Sequence, residues 1–231
     1  MRNILFAAVL ALLPLGAMAQ DFQRGMAAAQ AGDFATALQE WRPLAEQGDA
    51  TAQTSLGYMY SNGYGVLQDY AEAAQWSRLA AEQGYAAAQF NVGNMYNYGR
   101  GVAQDYAEAA RWYLLAAEQG DAMAQTILGY MYKNGNGVLQ DYAEAARWYR
   151  LAAEQGDARA QTNLGNMYYN GNGVLQDYVT AHMWYNIGAA NGSDLGAENR
   201  DKIADIMTSA QIAEAQQRAR VCLASNYQDC D

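Results

Sequence analysis

Between residues 49 and 192 the apolar positions recur with two periods at once. The shorter period is helical. In 49–61, Ala52, Leu56, Met59 and Tyr60 fall on one side of a 3.6-residue helix, and Asp49 stands where an N-cap belongs. Further on, Ala73, Trp76, Ala80 and Ala81 form a second buried stripe. Asp69 opens that helix with Glu72 three residues on, the spacing of a capping box, and Gly84 closes it. Between the two, "NGYGVLQ" is too rich in glycine to be helical, and Gly63 and Gly65 suit positive φ.

The longer period is 36 residues: Gly63, Gly99, Gly135 and Gly171 align, as do Trp76, Trp112, Trp148 and Trp184. Four units follow, 49–84, 85–120, 121–156 and 157–192, each with a helix A and a helix B. A half-unit precedes them: "GDFATALQEW" at 32–41 matches "QDYAEAAQW" at 68–76, with Trp41 one position late. After Gly192 the period stops. Residues 194–207 and 209–223 read as two more helices, with apolar faces from Ile203, Ile206, Ile212 and Val221. A stack of repeats exposes an apolar face at each end, so 20–48 and 193–231 are expected to be caps. The pattern predicts an all-α chain of about twelve helices with no sheet.

The pattern "AxxxLGxMYxNGxGVxQDYxxAxxWxxxAAxxG" resembles the Sel1-like repeat, a relative of the tetratricopeptide repeat. Residues 52–84 show it, and 88–120, 124–156 and 160–192 repeat it, with Val92 for the leucine and Gly188 for an alanine. The resemblance implies a right-handed α-solenoid of paired antiparallel helices that binds other proteins, with helix A lining the concave groove. It also implies roles such as envelope stress signalling, polysaccharide secretion or host interaction, without choosing among them.

The glycine loop itself is read as architecture. A phosphate loop needs a strand before it, and no strand pattern exists. A calcium loop needs acids at alternating positions, whereas "KNGNGVLQDYAEA" at 133–145 offers Asn134, Asn136 and Asp141 at the wrong spacing.

Comparing units separates two faces of helix A. Ala52, Gln53, Leu56, Gly57, Met59 and Tyr60 recur in every unit except at Val92, so they meet the same surroundings four times. Positions 51, 54, 55, 58, 61 and 62 vary and form one continuous stripe. That stripe is the expected partner face. It displays Tyr58 in the first unit and Phe90, Asn91, Asn94 and Asn97 in the second. The third adds Met123, Thr126, Ile127, Tyr130 and Lys133, and the fourth Arg159, Thr162, Asn163, Asn166 and Tyr169. Aromatics, amides and few charges suit an extended or helical peptide. Tyr58, Phe90, Asn94, Tyr130, Lys133, Arg159, Asn166 and Tyr169 are the groove candidates. The tryptophans of helix B, fixed in register, read as core.

Charge and cysteines narrow the setting. Arg2 and Asn3 precede an apolar run from Ile4 to Leu13, broken by Pro14 and Gly16, and Ala17-Met18-Ala19 offers small residues to a signal peptidase. Residues 1–19 are therefore expected to be a cleaved leader to the periplasm or the secreted fraction. Nothing later offers a membrane span. The net charge of −10, without a basic stripe, argues against nucleic acid. In an exported chain Cys222 and Cys230 read as one disulfide hooking the tail onto the last helix, with Tyr227 covering its apolar face. Metal and cofactor sites are not expected, and neither is catalysis. His182, the one histidine, reads as a surface or capping residue, and no serine has a lysine three residues later. The expected molecule is a monomeric, non-enzymatic scaffold for a peptide or protein. The alternatives are a cell-wall hydrolase, a penicillin-interacting protein or a glycan-binding module.

Overall fold

The computed structural model describes the chain from Leu15 to Cys230, with side chains from Asp21 onward. The leader expected at 1–19 lies outside the described residues as far as Pro14, and Leu15–Ala19 begin the first helix. The described chain is an α-solenoid of twelve helices without strands. These are α1 (Leu15–Gln30), α2 (Phe34–Glu46), α3 (Ala50–Asn62), α4 (Tyr70–Glu82), α5 (Ala86–Tyr98) and α6 (Tyr106–Glu118). They continue as α7 (Ala122–Asn134), α8 (Tyr142–Ala153), α9 (Ala158–Asn170), α10 (Tyr178–Ala190), α11 (Asp194–Ala204) and α12 (Ser209–Ala224). Two compact units divide the chain, one ending at Ala80 and the other beginning at Ala81.

Aspartates start most of the helices. Asp49, Asp121 and Asp157 each accept one backbone N–H, and Asp105, Asp141 and Asp177 each accept two. The capping box expected at Asp69 and Glu72 does not form. The Asp69 N–H already donates to Tyr60 O, so Glu72 turns to accept from Trp76 Nε1 at 3.0 Å. Its counterparts Glu108 and Glu144 pair with Arg111 and Arg147. A reciprocal box appears instead at Thr208 and Gln211, opening α12.

In the first unit α1 packs on α2, so the half-unit read from sequence has a partner helix. Trp41 lies over Gly25, where a Cβ would sit 2.4 Å from the indole nitrogen, and that nitrogen donates to Phe22 O. Tyr64 stacks on Phe34 with ring centroids 4.6 Å apart.

In the second unit the hairpins α5–α6, α7–α8 and α9–α10 follow one another, and α11 and α12 both pack on α10. Each hairpin crosses at a glycine. A Cβ at Gly93, Gly129 or Gly165 would lie 2.6 Å from the ring of Tyr113, Tyr149 or Tyr185, so only glycine admits these buried tyrosines. Burial pushes all three phenols well above the usual tyrosine range. Successive hairpins are latched by glutamines. Gln125 Nε2 donates to Ala117 O at 3.0 Å and its oxygen accepts from Gln155 at 2.8 Å, and Gln161 repeats this with Ala153 and Asn191.

The glycine loop has two tasks. Gly135, at φ 73°, ends α7 in the left-handed conformation. Gly137 lies against the start of α6, where a Cβ would fall 2.2 Å from Tyr106 O. The leucine between loop and helix B points outward: Leu67, Leu139 and Leu175 are each 91% exposed.

Three sequence expectations need correction. His182 is not on the surface; it is 1% exposed within α10. Ile203 is buried, but Ile206, in the turn after α11, is exposed, and so is Val221, because α12 packs through Ala215, Ala219 and Cys222. The tryptophans are not uniformly core: Trp148 and Trp184 are buried, whereas Trp76 and Trp112 are half-buried. Cys222 and Cys230 are bonded, and Tyr227 reaches past the last helix, its ring against Gly156 and its hydroxyl accepting from Asn191 at 2.8 Å.

Candidate functional site

The A helices of the second unit, α5, α7 and α9, carry the varied stripe, and α7 touches α9 directly. Two hollows open on this face. The first, of about 250 Å³, has an apolar side made by Tyr98, Ile127, Tyr130 and Met131. Asn97, Thr126, Asn136, Asn163 and Arg159 complete it with polar groups. The second, of about 230 Å³, lies between the C-terminal half of α9 and α11. Asn166, Tyr169, Asn170 and Tyr185 line it from one side, and Asn199, Lys202 and Ile203 from the other.

The stripe candidates divide accordingly. Tyr130 and Arg159 meet in the first hollow, and Asn166 and Tyr169 in the second. Lys133 sits one turn beyond Tyr130 on α7 and lines neither. Phe90 is half-buried with its ring tilted against Tyr113 at 5.9 Å, and Asn94 Oδ1 accepts from Tyr113 at 2.8 Å. Tyr58 belongs to the first unit, exposed and tilted against Tyr64. The stripe is also not uniformly open. Thr162 is buried, its hydroxyl 2.9 Å from both Ala158 O and Ser193 Oγ. It explains Gly188, where a Cβ would lie 2.8 Å from that hydroxyl oxygen.

The electrostatics of the face are set by few groups. Arg159 is 66% exposed and meets Asp157 at 3.4 Å, and Lys202 meets Glu198 at 3.6 Å, both surface pairs of small worth. Asn166 Oδ1 accepts from Tyr185 at 2.7 Å and from Asn199 at 3.3 Å. With its oxygen occupied twice, Asn166 has its N–H donors left to offer a ligand. Among the described residues no cluster of His, Cys, Asp and Glu could hold a metal ion. His182, sealed within α10, lines neither hollow. No described helix is long and apolar enough to cross a membrane.

Sequence reading missed Tyr98, Met131, Asn136, Asn199 and Lys202 as lining residues. Tyr98 stands at the end of the varied stripe, in the register of Asn62, next to a loop glycine. Met131 holds a position that recurs in every unit, Asn136 lies between two loop glycines outside the stripe, and α11 has no counterpart in the repeats with which to compare.

The family model described as Sel1 repeat matches residues 50–85, 86–121, 122–157 and 158–193. Among solved structures, a protective antigen present in uropathogenic Escherichia coli strains and displaying an SLR fold is 34% identical, with a TM-score of 0.80. That match covers 91% of this chain but only 47% of the E. coli protein. A Sel1 repeat protein from Oxalobacter formigenes is 36% identical, with a TM-score of 0.71, covering 89% of this chain and 74% of its own. No curated protein matches the chain.

Proposed function

Because the chain belongs to the Sel1 repeat family, we propose that it is a non-enzymatic adaptor that holds a peptide or protein segment on the α5–α7–α9 face. One observation carries this reading. Apart from Met131, the positions that recur between units lie outside the first hollow, whereas varied positions of α7 and α9 converge on it and give it an apolar side and a polar rim. A mixed lining of that kind fits a side chain and its neighbouring backbone. We place the protein in the periplasm or the secreted fraction. The leader pattern supports this, and so does the bonded Cys222–Cys230 pair, which an oxidising compartment would keep.

The test is capture from the native envelope with wild type and with a Tyr130→Ala/Arg159→Ala/Asn163→Ala variant. The adaptor reading expects a specific partner with the first and its loss with the second. A variant that kept every partner would refute the face. Hydrolysis of a cell-wall substrate by the purified protein would favour an enzyme instead.

A further inference from the structure

Resting on that reading of the face, we infer that the bound segment is acidic, with two carboxylates about three residues apart meeting Arg159 in one hollow and Asn166 with Lys202 in the other.

The first argument is charge. The chain has 24 acidic against 14 basic residues, yet among the described residues the charged groups lining the hollows are Arg159 and Lys202, both cations. Asp157 does not reverse this at Arg159, because its other oxygen is committed to the Ala160 N–H as helix cap. A guanidinium has five N–H donors, so one contact at 3.4 Å leaves others for a ligand. The contact of Lys202 with Glu198, both largely exposed, is looser still.

The second argument is donor polarity. An asparagine can ordinarily offer a ligand either its oxygen or its NH2. At Asn166 the oxygen accepts from the Tyr185 hydroxyl below and from Asn199 beside it, which turns the amide hydrogens to the ligand side. The second hollow thus sets the Asn166 amide hydrogens beside the Lys202 ammonium, a pair that suits an anion. Asn170 and Asn199, which donate to Asn166 O and Oδ1, add their amide oxygens to the lining.

Spacing and lining select a peptide. From Arg159 to Asn166 along α9 is about 10 Å at 1.5 Å per residue, a span an extended chain covers in about three residues. Tyr98, Ile127, Tyr130 and Met131 offer an apolar side chain a place beside the first carboxylate, for which an oligosaccharide acid has no counterpart.

Fluorescence anisotropy can read this with three labelled probes: a peptide with the core Glu-Leu-Tyr-Glu, the same peptide with glutamine for both glutamates, and a uronic acid tetramer. The inference expects the glutamate peptide to bind at least about tenfold more tightly than the glutamine peptide, with an advantage that shrinks in salt. Arg159→Gln should remove most of the difference. Asn166→Asp keeps an acceptor for Tyr185 but replaces the donors with a charge, and it too should remove it. Equal binding of both peptides, abolished by Tyr130→Ala, would overturn the acidic segment while leaving the face intact. Binding of the uronate without either peptide would overturn the peptide assignment. Peptide binding that Tyr130→Ala leaves unchanged, or no binding of any probe, would overturn the face itself and the inference with it.

Discussion

Tyr185 donates its buried hydroxyl to Asn166 Oδ1 at 2.7 Å, tying the core of the α9–α10 hairpin to the face that carries the candidate site. Tyr113 does the same to Asn94. Tyr149, in the hairpin between them, has no partner for its hydroxyl, because Tyr130 occupies the corresponding place on α7. One position of the varied stripe therefore has a structural duty in two hairpins and is released from it in the third.

That contrast is measurable. Tyr185→Phe removes a made bond and strands part of Asn166, so it should cost about 1 kcal/mol in urea denaturation. Tyr149→Phe removes a hydroxyl that is buried without a partner, and stability should be unchanged or slightly higher. Equal losses in the two variants would contradict the assignment.

The loop glycines differ in what they require. Gly120 has φ 94° and open space around its missing side chain, so Gly120→Ala should cost about 1–2 kcal/mol from backbone conformation alone. Gly137 combines φ 72° with the backbone of Tyr106, so Gly137→Ala should cost clearly more, since that backbone must move. Parallel chemical denaturation of the two variants decides this, and equal costs would show that Gly137 does not bear on α6.

Much of this was legible in one sequence because each repeat packs on its immediate neighbours, so a 36-residue period encodes most of the surroundings of its core residues. What was not legible depends on particular contacts. His182 looked like an isolated polar residue, but the alanines in its register, Ala110 and Ala146, are buried, and in the last hairpin α11 and α12 also pack on α10. The donor character of Asn166 exists only through Tyr185, nineteen residues away, and through Asn199 on a helix outside the repeats. The pairing of Gly93, Gly129 and Gly165 with a tyrosine twenty residues on was present in the sequence and would have flagged the first of these.

His182 gives the fold a pH response. Burial holds its pKa below the ordinary histidine value of about 6.5, Arg200 adds to the effect, and Asp201 opposes it. The folded state therefore binds fewer protons than the unfolded chain just below pH 6.5, and stability falls as pH drops through that region. His182→Ala lacks this term. Melting temperatures of the two proteins between pH 7.5 and 5 should show wild type losing ground to the variant on acidification. A difference independent of pH would place the imidazole in water.

The tail is held by the Cys222–Cys230 bond. Cys230→Ser should destabilise the oxidised protein by about 2–3 kcal/mol, the chain-entropy value for so short a loop. Reductant should lower the melting temperature of wild type and leave the variant unchanged. Intact mass of protein isolated from the periplasm should show two hydrogens fewer than the free dithiol; two free thiols there would contradict the bond.

The central claim, that the α5–α7–α9 face holds the partner, is tested most directly by site-specific photocrosslinking. A benzophenone side chain would be placed at Tyr130 in one protein and at Leu139, exposed but outside both hollows, in another. After irradiation in the native envelope, the account predicts a discrete adduct from position 130, weakened by Arg159→Gln, and none of the same mass from position 139. An adduct from position 139 with none from position 130 would contradict it.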